Sequence, residues 1–135
     1  MARSVQQKIE SFLAEGPYAV VGASTDRDKY GNKVLRCYQQ HGREAHPINP
    51  KAPEVEGLKA YASLAAVPAK LKGVSIITPP AVTAQVVREA AALGIPRVWM
   101  QPGAESPEAV KTAEDLGVEV IAGGPCLLVV LGYKD

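Results

Sequence analysis

Two rhythms of apolar and polar positions alternate along this 135-residue chain. Short runs at Tyr18 to Val21, Ala45 to Ile48, Val74 to Thr78, Arg97 to Met100 and Val118 to Ala122 are β-branched or otherwise apolar. They do not alternate with polar residues, which predicts five strands covered on both faces. Between them apolar positions recur at helical spacing. Val5, Ile9, Phe12 and Leu13 predict an amphipathic helix over residues 3–15, ending before Gly16-Pro17, and a second helix is expected from Gly31 to His41. Pro80 stands in the first turn of a helix from Ala81 to Leu93 that closes at Gly94. Ser106-Pro107-Glu108 supplies an N-cap, an N1 proline and an early acid for a helix ending at Gly117. Val82, Val86, Val87 and Ala90 form the expected buried stripe of the first of these; Ala109, Val110, Ala113 and Leu116 form that of the second.

Strand then helix, repeated, predicts an α/β fold. The expectation is a single Rossmann-like doubly wound domain over residues 1–135, with a mainly parallel five-stranded sheet, right-handed crossovers and the N-terminal helix packed on it. In residues 50–73, Ala52-Pro53, Gly57 and Pro68 interrupt any long helix, leaving a loop with one short helical piece near Ser63 to Ala66. The apolar tail Leu127 to Leu131 either folds back on its own sheet or buries against a second copy.

Composition narrows the function classes. With 47% hydrophobic and 21% charged residues the chain can build one core of ordinary size, and a net charge of +1 gives no global pull toward nucleic acid or membrane. No apolar run approaches the roughly 20 residues of a membrane span. Met1 to Phe12 is charged and amphipathic, unlike a signal peptide, so a cytoplasmic protein is expected. Cys37 and Cys126 lie far apart, with no second Cys or paired His at metal-ligand spacing, which predicts reduced thiols and no metal site.

Ligands of such sheets bind beyond the carboxyl ends of the strands, near the point where strand order reverses. That edge can be read off the chain. Gly22-Ala23-Ser24 follows the first strand, Asn49-Pro50-Lys51 the second, Thr78-Pro79-Pro80 the third, Gln101-Pro102-Gly103 the fourth and Gly123-Gly124-Pro125-Cys126 the fifth. The first turn departs from the dinucleotide fingerprint: Ser24 stands where a second glycine belongs, and Gly31 comes only after a longer, cationic loop. Arg27, Lys29 and Lys33 surround the start of the next helix, with Lys29 and Lys33 expected exposed. They either hold a polyphosphate together with the helix amides or form a solvated loop that Asp26 and Asp28 partly neutralise. An NAD site places Asp or Glu at the end of strand two, and none is present there. Asn49 can bond a ribose or base, and Lys51 favours an additional phosphate on the ribose. Thr78, Pro79 and Pro80 offer a rigid wall poor in backbone donors, against which an adenine or a flexible arm can lie. Trp99 and Met100 are expected in the core, and His41 and His46 in structural or surface roles.

The stretches Val20 to Ser24, His46 to Lys51, Glu54 to Gly57 running to Tyr61 to Leu64, Thr78 to Pro80 and Val98 to Ala104 resemble the small Rossmann-like CoA-binding proteins. They are also similar to the N-terminal CoA-binding domain of succinyl-CoA synthetase alpha subunits and related acyl-CoA ligases. The resemblance implies coenzyme A or an acyl-CoA across the carboxyl edge. Its phosphates would lie at Gly22 to Lys33 and its nucleotide end near Asn49 and Lys51, with Thr78, Pro79, Pro80 and Val82 in contact. Gln101, Pro102 and Gly103 would close the far side. The ligases carry a phosphorylated histidine on a following domain, which is not expected in this chain. The expected function is therefore non-enzymatic CoA binding as carrier, sensor or partner subunit, possible as a homodimer or with a partner protein. The alternative is an NAD(P)-binding or ligase-type component whose chemistry comes from another chain. No catalytic residues are assigned, because the strand ends do not assemble a nucleophile, base and orienting acid. Cys126 is either an inert thiol or a partner for the CoA thiol in a mixed disulfide.

Overall fold

A computed structural model describes residues 3–135; Met1 and Ala2, which open the amphipathic segment, lie outside the described residues. The chain runs through α1 (Val5–Ala14), β1 (Tyr18–Val21), α2 (Tyr30–Gln40), β2 (Ala45–Ile48), and a hairpin of β3 (Glu54–Val55) and β4 (Leu58–Lys59). After a 3-10 turn at Leu64–Ala66 come β5 (Gly73–Ile76), α3 (Pro80–Ala92), β6 (Arg97–Met100), α4 (Pro107–Asp115), β7 (Glu119–Ile121) and α5 (Leu127–Leu131). Five strands form one sheet in the order β2-β1-β5-β6-β7, every neighbouring pair parallel. The chain steps outward from β1 to β2 and returns to the other side of β1, so strand order reverses between β1 and β5. That reversal sends α2 and α3 to opposite faces of the sheet.

The faces separate residue by residue, as the strand period of two requires. Ala19, Val21, Val74, Ile76, Val98, Met100 and Val120 pack under α3 and α4. Tyr18, Val20, Trp99 and Ile121 pack with Phe12, Val34, Leu35, Tyr38 and Leu127 from α1, α2 and α5. On this second face Phe12 stacks on Tyr18 at 5.2 Å, Tyr18 on Tyr38 at 5.0 Å, and Phe12 meets Trp99 edge-on at 5.4 Å. Each polar end in the aromatic layer is satisfied: Tyr18 donates to Phe12 O at 2.8 Å, Trp99 Nε1 to Pro125 O at 3.0 Å, and Tyr38 shares a 2.6 Å hydrogen bond with buried Ser75. Gly73 is obligatory under this layer, because a Cβ there would come within 2.8 Å of the Phe12 ring.

Helix ends follow local chemistry. Ser4 and Gln7 form a reciprocal capping box on α1, and Ser106 accepts from Ala109 N at the start of α4. Pro47 is tolerated in β2, the edge strand, because its nitrogen lies on the side away from β1, the side on which its carbonyl accepts from Tyr61 N at 3.0 Å. Leu127 to Leu131 folds back, with Leu127 fully buried and Leu128 and Leu131 packed on the same cluster, while Val129 stays exposed.

Three expectations need correction. Val82 is 46% exposed and Leu116 50%, so neither belongs to a buried stripe; α3 buries Thr83, Ala84, Val86, Val87 and Ala90, and α4 buries Ala109 and Ala113. Both stand at helix ends, Val82 in the first turn of α3 and Leu116 just past α4, where helical phase no longer implies cover. The third strand ends at Ile76, leaving Thr78 in the turn. Residues 50–73 hold a hairpin as well as the short helical piece, because two-residue strands are too brief to leave a periodicity.

Replacing Phe12 with Ala should cost about 3–5 kcal/mol, since it removes a ring wedged between Tyr18 and Trp99 and leaves a cavity. Urea denaturation followed by tryptophan fluorescence checks this through the fall in the midpoint.

Candidate functional site

The end of β1, the start of α2 and the end of β5 meet backbone to backbone. Gly22 has φ +96°, and a Cβ there would lie 2.0 Å from the Ile77 carbonyl oxygen; a Cβ on Gly31 would lie 1.9 Å from the Gly22 carbonyl oxygen. Gly31 therefore supplies the close helix–strand packing that the third glycine gives in a dinucleotide fingerprint, although it is displaced in sequence by the loop between. This loop, Ser24 to Lys29, is built from short side-chain turns. Ser24 Oγ accepts from Asp26 N at 3.0 Å, and Asp26 Oδ1 accepts from Asp28 N at 2.9 Å.

Buried polar groups from α2 fix the loop from behind. Asn32 Nδ2 donates to Ser24 O at 2.8 Å and to Glu56 Oε2 at 3.0 Å, while Arg36 donates to Asn32 Oδ1 at 2.7 Å and to Arg27 O at 2.8 Å. Glu56 sits at the hairpin tip with φ +48°, and its carboxylate also lies 3.6 Å from Arg27 Nε. Arg27 thus has its charge answered within the protein. Among the described residues no carboxylate pairs with Lys29, Lys33 or Lys51. Lys29 and Lys51 are exposed, whereas Lys33 is half-buried, contrary to expectation.

Beyond the sheet edge lies a cleft of about 370 Å³, lined by Gly22, Ala23, Asn49, Thr78, Val82 and Glu89 among others. Five residues expected at the site therefore share one cavity wall. Asn49 ties two turns together: Nδ2 donates to Ala23 O at 2.9 Å, and Oδ1 accepts from Lys51 N at 2.8 Å. Buried Thr83 donates to Ala104 O at 2.7 Å, so in its 2.8 Å contact with Thr78 the Thr78 hydroxyl must be the donor. The Thr78 oxygen is left to the cleft as an acceptor only, which suits an amine or hydroxyl better than a phosphate. Ser63 and Glu89 also line the cleft, and Glu89 Oε1 accepts from Leu64 N at 3.1 Å. Ser63 falls in the Tyr61 to Leu64 stretch that carries the resemblance, whereas no sequence signal marked Glu89, because its proximity depends on how residues 60–64 run beside β2.

Ser24 is half-buried behind the loop; Pro79, Pro80 and Pro102 are exposed at the edge. Gln101 is fully buried on the β6 side, accepting from Leu127 N at 2.8 Å, and is not among the cleft's lining residues. The N-termini of α2 and α3 carry no side-chain cap, in contrast to α1 and α4. Among the described residues no helix is long and apolar enough to cross a membrane. His46 bonds Glu44 at 2.7 Å and His41 the Cys37 carbonyl at 2.8 Å, both away from this edge.

A parallel sheet with a cleft at its switch point and a glycine turn under an uncapped helix define a Rossmann-like domain. The chain belongs to the CoA binding domain family, whose model matches residues 17–132. It is similar to the ADP-forming acetate–CoA ligase II subunit alpha of Pyrococcus furiosus, 30% identical over 88 residues, which make up 64% of this chain and 19% of that subunit. The chain thus spans a minor part of that relative's length. Among solved structures, a conserved hypothetical protein from Pyrococcus furiosus superposes with a TM-score of 0.81 at 40% identity, covering 86% of this chain and 99% of that one. A dinucleotide-forming acetyl-coenzyme A synthetase of Ca. Korarchaeum cryptofilum, in complex with phosphate and ADP, gives 0.72 at 30% identity over 84% of this chain and 26% of its own.

Gly31→Ala should destabilise the fold by about 2 kcal/mol or more, because the new methyl group meets a backbone carbonyl that cannot move without opening the turn. Thermal melts alongside Gly42→Ala, where a Cβ meets open space but the φ is +65°, separate this clash from backbone strain.

Proposed function

We propose that this chain, acting as one unit, binds coenzyme A or an acyl-CoA along the carboxyl edge of its sheet. The shared cleft carries the reading: Gly22, Ala23, Asn49, Thr78 and Val82 line it together, although they come from three separate turns. The pyrophosphate would rest on the α2 amides between Lys29 and Lys33, in reach of Ser24, with Arg27 at the outer rim. The adenine would lie against Val82, Pro79 and Pro80, its polar edge toward the Thr78 oxygen and Asn49. Lys51 would face the ribose phosphate. The arm would then cross toward β6, past Gln101 and Pro102. The lack of an acid at the end of the second strand, where Asn49-Pro50-Lys51 stands, favours this ligand over NAD. Service as a partner subunit fits the reading, since one relative is by name a ligase subunit.

Calorimetric titration with CoA, dephospho-CoA, NAD and NADP tests it. CoA should bind tightest, with dephospho-CoA weaker by roughly tenfold, the size of one charge-assisted contact. NAD binding above all others overturns the assignment. Lys51→Ala should erase the difference between CoA and dephospho-CoA. The double change Lys29→Ala, Lys33→Ala should instead weaken both and flatten their salt dependence.

A further inference from the structure

Cys126 stands just past β7, half-buried, with its sulphur in hydrogen-bond contact with the Tyr30 hydroxyl. That hydroxyl also donates to Gln101 Oε1 at 3.2 Å, and the same oxygen accepts from Leu127 N at 2.8 Å. Gln101 is fully buried, and its Nε2 has no hydrogen-bond partner among the described residues. One carboxamide therefore has its acceptor fully engaged beside the thiol and its donor left over, an arrangement that a bound polar group would complete. Tyr30 is the first residue of α2, directly after Lys29, so this cluster borders the phosphate turn. Cys126 opens α5, which packs beside α2, so the thiol reaches back to the start of α2 and does not stand out beyond β7.

The second cysteine supplies the contrast. Cys37 is fully buried, its sulphur reaches only Leu127 O at 4.0 Å, and burial, aided by nearby Cys126, pushes its thiol up to about 11. Burial also raises the Tyr30 hydroxyl well above the usual phenol range, so it keeps its proton as a donor.

We propose that Cys126 is a thiol-exchange site that captures the disulfide form of the bound thiol cofactor, with Tyr30 and Gln101 as its hydrogen-bonding frame. This rests on the CoA-binding reading above. The Cys126 thiolate attacks one sulphur of CoA disulfide and forms a Cys126–S–S–CoA bond as the S–S bond of the ligand breaks. The departing CoA thiolate takes up the proton that Cys126 released. The protein thiol is oxidised and one CoA is reduced, with the ligand disulfide as oxidant. Tyr30, already between Sγ and Gln101 Oε1, turns its proton onto the thiolate as it forms.

The test treats reduced protein with CoA disulfide or, in parallel, oxidised glutathione, and follows the products by intact mass and peptide mapping. One CoA should attach to Cys126 and none to Cys37, about tenfold or more faster than glutathione, because docking raises the local concentration of the disulfide. Excess desulfo-CoA should remove that advantage, Cys126→Ser should abolish the adduct, and Tyr30→Phe should slow its formation. Equal rates for the two disulfides, or labelling of Cys37, overturn the exchange site. Calorimetry with desulfo-CoA separates the two readings: if it binds while no selective adduct forms, only the exchange site falls, and if it does not bind, CoA binding falls as well.

Discussion

The contact on which the site depends is the one between the Gly22 carbonyl and Gly31, with Ile77 pressed against Gly22 from the other side. Three backbone segments from β1, α2 and β5 converge with no side chain between them. A larger residue at Gly31 would push α2 away from the sheet edge, and one at Gly22 would push the turn after β1 off the end of β5. With α2 seated, its first amides, the loop ahead of it and the cleft beside it acquire fixed positions. The excursion from Ser24 to Lys29 can lengthen the turn without loosening it, because Asn32 and Arg36 grip the loop from inside.

Much of this was legible in the chain because it is local. Strands covered on both faces leave uninterrupted apolar runs, and Ser106-Pro107 states a helix start in two residues. The order of turns along the edge follows once strand and helix alternate. What stayed hidden depends on contacts between distant segments. Periodicity alone gives Val82 the phase of a core residue, while the resemblance implied a ligand contact; the position of α3 relative to the sheet edge leaves it facing the cleft. Gln101 follows a strand as a ligand-facing residue does, yet α5 folds over it and takes its oxygen. Arg27 looks like a phosphate cation until the hairpin tip brings Glu56 across to it.

The hairpin is the least predictable element and has an outsized effect. Two strands of two residues leave no periodic trace, but Glu56-Gly57 at their tip turns with positive φ at both positions. That geometry carries one carboxylate onto Asn32 and Arg27 together, and it holds Glu56 in a conformation that non-glycine residues rarely occupy. The carboxylate sorts the cations of the loop. Arg27 and Arg36 are committed to internal partners, whereas Lys29, Lys33 and Lys51 keep their charge for the rim. Lys29, Lys33 and Lys51 are thus cations without a paired carboxylate among the described residues, with Asp26 and Asp28 in the same loop as Lys29.

Along that edge the chemistry changes from one end to the other. Over β2, β1 and β5 the lining is glycine, valine, the Asn49 amide and the Thr78 hydroxyl, joined by Ser63 and the Glu89 carboxylate. Over β6 and β7 it becomes a phenol, a carboxamide with a spare donor and a half-buried thiol. Tyr30 joins the two regions, because its backbone opens the helix beside the Gly22 turn while its ring reaches the thiol. A ligand long enough to touch both would be held at its charged end by rigid backbone and presented at its other end to the most reactive group on the edge. Affinity and reactivity would then reside in different strands of one sheet, so either could change without disturbing the glycine contact that both require.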